Sequence, residues 1–205
     1  MFSRRRFLKT WLAALPLAYD HCATAQVVQT AVGSPFSLFA NKDFSAWSKQ
    51  GSANWQIVDG QAVMNQGSGW LISRLSLTDF DLDTEFWLGS QTQASLYIRC
   101  VNSNLVNTFI SSQTAYQINL GVGSLQDYGP GSIMDLVKAP KLRTGKRWNS
   151  LKLSVRGPYL SMWLNGQQVA DKAYDTRFPM GPLALNVSDG AFGIRKLNVT
   201  SPSRW

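Results

Sequence analysis

The sequence predicts an all-β fold of two antiparallel sheets packed face to face, and three observations predict it. Short runs alternate apolar and polar residues with a period of two, Gly, Asp, Asn and Pro separate the runs, and no segment sustains a helical period beyond a turn or two. A strand with one apolar face must bury it against another such face, so roughly a dozen strands of this kind resolve into a two-layer sandwich. No fixed-period repeat is present, which disfavours a propeller or a β-helix.

The elements follow in order. WQIVDGQAVM (55–64) reads as a hairpin turned at Asp59-Gly60. FDLDTEFWL (80–88) sets Phe80, Leu82, Phe86 and Leu88 against Asp81, Asp83, Glu85 and Trp87, with Asp79 continuing the polar row. ASLYIRCV (94–101) sets Leu96, Ile98 and Cys100 against Tyr97 and Arg99, and AYQINL (115–120) sets Tyr116, Ile118 and Leu120 against Gln117 and Asn119. NSLKLSVRG (149–157) then leads into YLSMWLN, where Leu160, Met162 and Leu164 alternate with Tyr159, Ser161 and Trp163. The Asn165-Gly166 turn that follows is a strong short-range hairpin signal, because a type I′ turn needs φ > 0 at both central residues. PLALNV (182–187) and FGIRKLNVT (192–200) complete the series.

The first 25 residues read as a separate unit. Ser3-Arg4-Arg5-Arg6-Phe7-Leu8-Lys9 matches a twin-arginine export motif, followed by a modest apolar run and a small-x-small cleavage site at Ala23-Thr24-Ala25. The expectation is a signal peptide over 1–25 handled by the twin-arginine translocase, a linker over 26–35, and one domain over 36–205. The mature chain is then periplasmic or secreted, with no transmembrane anchor left after cleavage. At 205 residues, 44% of them hydrophobic, the chain can bury a core without disulfide staples.

Charge and composition exclude several function classes. The formal charge of +8 falls to +5 once residues 1–25 are removed, since 16 basic and 11 acidic residues remain. The remaining basicity is diffuse, and Lys141, Arg143, Lys146 and Arg147 read as a solvated turn, so no nucleic-acid partner is expected. The only histidine is His21, within the expected signal peptide. A mature chain without imidazole excludes Ser-His-Asp catalysis and His-rich zinc sites. Cys100 is then the sole mature cysteine, read as a buried inert thiol.

Side-chain parity points to a binding surface. If the strands at 80–88, 94–101, 115–120 and 159–164 share a sheet, their outward rows form one surface carrying Glu85, Trp87, Tyr97, Arg99, Gln117, Asn119 and Trp163. Aromatic planes suit the C–H faces of pyranose rings, while amides, carboxylates and Arg suit the hydroxyls. Two plainer roles compete for the acidic row: pairing of Asp81, Asp83 and Glu85 with Lys152 and Arg156, or a Ca²⁺ site, which one strand cannot build without loop ligands.

LFANKDFSAWSKQGSANWQIVDGQAVMNQGSGWLISR resembles the opening of the 3-keto-disaccharide hydrolase family, whose members begin LFNGKDLSGW and continue through a W-x-V-x-D-G hairpin to a GWL segment. The resemblance runs on through TDFDLDTEFWL, LYIRC, AYQIN, KRWNSLKLSVRG, WLNGQQV and GPLALN to FGIRKLNV, about residues 38 to 200. It implies a concanavalin A-like jelly-roll sandwich, exported in bacteria, that acts on glycosides oxidised at C3. The keto group acidifies the C2 proton, so a base removes it, the C1 oxygen leaves, and water adds back. Such a site needs a base, donors for the sugar, and an electrophile or divalent metal to hold the enolate.

Departures from the family pattern bear on the chemistry. Where members read YEVQI, this chain has Gln117 at the carboxylate position and Asn119 at the Gln position. Thr92-Gln93-Ala94-Ser95 replaces an NSG segment, Met162 replaces a His, and Asn186-Val187-Ser188-Asp189-Gly190 replaces a QDHG region. The catalytic candidates are therefore Glu85 and Asp189, with Asp83 as a further carboxylate, and the sugar-binding candidates are Trp87, Tyr97, Arg99, Gln117, Asn119 and Trp163. The alternative function is a non-catalytic carbohydrate-binding or interaction domain. A third class, a structural protein packed through its aromatic face, requires a large exposed apolar patch.

Overall fold

In the computed structural model, the described residues are 33–39, 43–101, 110–121, 127–188 and 190–202. The expected signal peptide, most of the expected linker, and Asp189 lie outside them. Among the described residues there is no helix long and apolar enough to cross a membrane.

Among the described residues thirteen strands make the fold: β1 (Phe36–Ser37), β2 (Trp47–Gly51), β3 (Gln56–Val58), β4 (Gln61–Met64), β5 (Ser68–Leu77), β6 (Phe80–Leu88), β7 (Gln93–Ile98), β8 (Tyr116–Asn119), β9 (Trp148–Arg156), β10 (Tyr159–Leu164), β11 (Gln167–Tyr174), β12 (Gly181–Ser188) and β13 (Phe192–Thr200). One sheet has eight strands, in the order β11-β10-β9-β6-β13-β4-β3 with β1 added against β13, and the other has five, in the order β2-β5-β12-β7-β8. Every strand pairing is antiparallel. This is the expected two-sheet jelly-roll sandwich.

Alternation builds the interior. Phe80, Leu82, Phe86 and Leu88 of β6, Leu151, Leu153 and Val155 of β9, and Leu160, Met162 and Leu164 of β10 meet Leu71, Leu96, Ile98, Ile118, Leu183, Leu185 and Val187 from the opposing sheet in one buried cluster. Each such side chain, moved from water into the core, contributes about 1.5–3 kcal/mol. The hairpin turns have the backbone their sequences demand, with φ of 52° and 78° at Asn165 and Gly166, and 50° and 75° at Asp59 and Gly60.

Strict alternation fails at several places among the described residues, and two of them, each with a local cause, redirect side chains that matter to the site. Arg99 has φ of +54°, which ends β7 and reverses the parity beyond it. Cys100 therefore leaves the side of Leu96 and Ile98, against the expectation, and packs in a second cluster with Ile72, Tyr97, Ile110, Ala115 and Ala184. In β13 the register against β6 shifts between Arg195 and Asn198, with φ of +53° at Lys196. This bulge leaves Leu197 buried and turns Lys196 outward beside Arg195, so two adjacent bases face the acidic row of β6.

Candidate functional site

The expected single surface is divided between the two sheets. Strands β6 and β10 belong to the eight-stranded sheet, while β7 and β8 belong to the five-stranded one. Glu85, Trp87 and Trp163 thus lie on one outer face of the sandwich, and Tyr97, Gln117 and Asn119 on the opposite one. Pairing order, which joins strands distant in sequence, makes the difference.

The outer face of the five-stranded sheet is built in transverse rows. Gln50 of β2, Trp70 of β5, Asn186 of β12, Ser95 of β7 and Asn119 of β8 are successive register partners. Beside them run Ser48, Ile72, Ala184, Tyr97 and Gln117. The strands turn these residues outward because their other parity, including Leu71, Leu96, Ile118, Leu183 and Leu185, is taken by the core. β2 and β5 lie close here: a Cβ at Gly69 would stand 2.4 Å from the Gln50 carbonyl oxygen, so glycine is required.

Aromatic and polar groups interleave on this face. The Trp70 and Tyr97 rings sit 5.0 Å apart, tilted by 51°. Gln117 Nε2 donates to Ser95 Oγ at 3.3 Å, Asn186 Nδ2 donates to the Gly69 carbonyl at 3.3 Å, and Ser188 Oγ donates to Asn186 Oδ1 at 3.3 Å. Burial pushes the Tyr97 phenol up to about 12, against the lowering hydrogen bond with Ser95, so it is a neutral donor at pH 7. The same effect raises the Cys100 thiol to about 12 and keeps it protonated.

Two of the expected sugar contacts are occupied by the fold itself. Asn119 donates to the Tyr128 carbonyl at 2.6 Å and accepts from the Gly121 N–H at 3.2 Å, fixing the segment that follows β8. Arg99 is 1% exposed. Its Nε and Nη2 donate to the Thr78 carbonyl at 3.0 and 2.6 Å, its Nη1 donates to the carbonyls of Gly157 and Phe178 at 2.7 and 3.3 Å, and Nη2 meets Asp79 at 3.2 Å. The guanidinium thus clasps three separate connections, where sequence parity had aimed it at the ligand surface. Left-handed backbone at Arg99 is what carries the side chain there.

The catalytic candidates also separate. Glu85 accepts from Arg195 at 2.8 Å and lies 3.8 Å from Lys196, Asp83 pairs with Lys196 at 3.1 Å, and Asp81 pairs with Arg156 at 2.6 Å. The acidic row of β6 is therefore matched by bases across neighbouring strands. Trp163 lies nearby, along a hollow of about 700 Å³ shared with Asp81, Asp83 and Lys152. Glu85 does not share a face with Tyr97 or Gln117, and Asp189, next in the chain after Ser188, lies outside the described residues.

The five strands of the smaller sheet contain no Asp, Glu or His. Among the described residues no group of three or more His, Cys, Asp or Glu side chains is placed to hold a metal ion. Amide and hydroxyl oxygens without a carboxylate are a poor donor set for a divalent cation, so the described part of this face does not fit one.

A family model described as the 3-keto-alpha-glucoside-1,2-lyase-like domain matches residues 35–200. The chain belongs to this family. The match spans both sheets, and Trp70, Ser95, Tyr97, Gln117, Asn186 and Ser188 all lie within it. No curated protein matches the chain. Among solved structures, the lyase-like fold is similar to a candidate glycosyl hydrolase from Parabacteroides distasonis, at 16% identity over 82% of this chain and 94% of that one, with a TM-score of 0.67. It is also similar to the carbohydrate binding module CBM66 from Bacillus subtilis (17% identity, 76% and 96% covered, TM-score 0.59). A β-1,3-1,4-glucanase (lichenase) derived from a mouse hindgut metagenome shares the fold (12% identity, 84% and 100% covered, TM-score 0.56).

Sequence parity missed Trp70, Ser95, Asn186 and Ser188. Each had a signal: Trp70 stands in the GWL segment, and the other three lie in the segments where this lyase-like domain departs from its family's pattern.

Proposed function

We propose that this domain handles a glycoside oxidised at C3 on the outer face of its five-stranded sheet. The observation that carries the reading is the half-buried Trp70 ring, packed 5.0 Å from the buried Tyr97 ring and set among the Ser95, Gln117 and Asn186 side chains, an aromatic plane edged by neutral hydrogen-bond donors and acceptors. Membership of the lyase-like family supports the substrate class. In the reaction, a base takes the C2 proton, the C1–C2 double bond forms as the C1–O bond breaks, and the departing oxygen is protonated; water then adds across the double bond. The Tyr97 phenol and the Gln117 amide supply neutral donors toward the enolate oxygen, and Asp189 is the carboxylate assigned as base. The same reading takes residues 1–25 as a twin-arginine signal peptide, with the mature chain in the periplasm or outside the cell.

A second reading, binding without cleavage, is favoured by one observation: the five strands carry no acidic residue, and Gln117 stands where the family has a carboxylate. One experiment separates the two. The purified protein is given chromogenic 3-keto-α- and 3-keto-β-glucosides, and release of the leaving group is followed beside Trp70→Ala and Asp189→Asn. Turnover abolished by D189N and weakened by W70A supports the lyase reading. Absence of turnover, with either glucoside raising the melting temperature of wild type but not of W70A, supports binding alone. Failure of both glucosides to bind or react sinks the proposal.

A further inference from the structure

The opposite outer face holds a hollow that the reaction above does not use. Trp87 and Trp148 are register partners on β6 and β9, and Gly193 of β13 is the next partner of Trp87. A Cβ at Gly193 would lie 3.7 Å from Trp148 Cη2, so the Trp148 indole reaches across β6 toward the glycine. The bare glycine surface gives it room. Arg195 stacks on the Trp148 ring, 4.0 Å from its centroid, and Glu85 holds that guanidinium at 2.8 Å. The indole is thereby fixed in place while 38% exposed.

Four carboxamides join the two indoles around a volume of about 400 Å³: Asn54, Gln56, Gln61 and Asn65. Asn54 and Asn65 are set by each other, through Asn54 Nδ2 donating to Asn65 Oδ1 at 2.7 Å and the Asn65 N–H donating to Asn54 Oδ1 at 3.1 Å. The side chains of Gln56 and Gln61 make no hydrogen bond to another described residue, so both ends of each amide are available. Among the described residues no Asp, Glu, Lys or Arg lines the hollow.

We infer that this hollow is a second saccharide site, which takes neutral sugar rings of a glycan chain on the face away from Trp70 and Tyr97. The exposed Trp148 indole, with half-buried Trp87 beside it, takes the C–H faces, and the Gln56 and Gln61 carboxamides, each both donor and acceptor, take the hydroxyls. The described lining offers a uronate or sulfate no charged partner, since Arg195 beside Trp148 is already held by Glu85, so its carboxamides favour a neutral chain. The volume lies within the roughly 300–1,000 Å³ of ordinary ligand pockets, and the inference stands independently of the reaction proposed for the other sheet.

The test titrates the purified full chain, by calorimetry, with neutral unoxidised gluco-, manno- and xylo-tetraoses and with a tetragalacturonate. At least one neutral tetraose is expected to bind. Trp148→Ala should raise its Kd about tenfold and Gln61→Ala several-fold, Trp148→Phe should recover most of the loss, and Trp70→Ala should leave Kd within about twofold. Melting curves of each variant identify a folding failure, in which case Q61A and W148F decide. The inference is overturned if no neutral tetraose binds, if tetragalacturonate binds as tightly, or if W70A removes the binding that W148A and Q61A leave intact.

Discussion

Replacing Arg99 distinguishes a clasp from a ligand contact. Arg99→Ala removes the partner of three carbonyls, those of Thr78, Gly157 and Phe178. Each of these three carbonyls, left without its charged donor, costs about 1–1.5 kcal/mol, which gives about 3–4.5 kcal/mol in total. The Asp79 pair adds little to that sum, because Asp79 is 45% exposed and water screens it. For a domain of this size the loss corresponds to a fall in Tm of about 8–15 °C. Two further variants test the geometry. Arg99→Lys keeps a charge but cannot span three carbonyls and should recover less than half of the loss. Arg99→Gly should be less destabilised than R99A by about 1 kcal/mol, because φ of +54° strains any residue with a Cβ. Urea and thermal unfolding followed by circular dichroism supply the numbers. A stability loss below about 1 kcal/mol in R99A, joined to a loss of sugar binding, would refute the clasp and return Arg99 to the ligand surface.

Three further outcomes are expected. Glu85→Gln breaks a partly exposed pair with Arg195, so stability should fall by about 1 kcal/mol or less, and release from 3-keto-glucosides should be unchanged; a large loss of rate would place Glu85 in the chemistry. Cys100, 2% exposed and with its thiol raised to about 12 by burial, should resist Ellman's reagent at pH 8 in the folded Cys22→Ser protein and react only on unfolding, while fast labelling in the native state would contradict its packing. Burial raises the Asp175 carboxyl, but bonds from the Arg177 N–H and guanidinium and the Tyr116 hydroxyl outweigh it and hold the group below its ordinary value. A depressed folded pKa stabilises above the unfolded value and is lost as pH falls through the folded one. Asp175→Asn should therefore lower stability at pH 7 and flatten its decline below about pH 4; a parallel decline in both proteins would remove Asp175 from the acid limb.

The local features of this protein were legible in its sequence because they depend on neighbours a few residues away. Asn165-Gly166 and Asp59-Gly60 adopt the backbone that their turns require, and β6, β9, β10 and β13 were found almost residue for residue from their period of two. The inward rows, among them Phe80 to Leu88 and Leu160 to Leu164, followed from the same period. Parity, however, says only that two residues lie on one side of their own strand. Whether Trp87 and Tyr97 share a surface depends on which strands pair, and β6 pairs with β9 and β13 whereas β7 pairs with β8 and β12. That choice is made by long-range burial, which no single window contains. Left-handed backbone at Arg99 and the bulge at Lys196 then redirect side chains that a strict alternation would send elsewhere. The residue types suited to a sugar were thus set by the sequence itself, while tertiary structure alone decided that Trp70, Tyr97 and Gln117 stand together, that Arg99 is spent on the fold, and that Glu85 faces the other way.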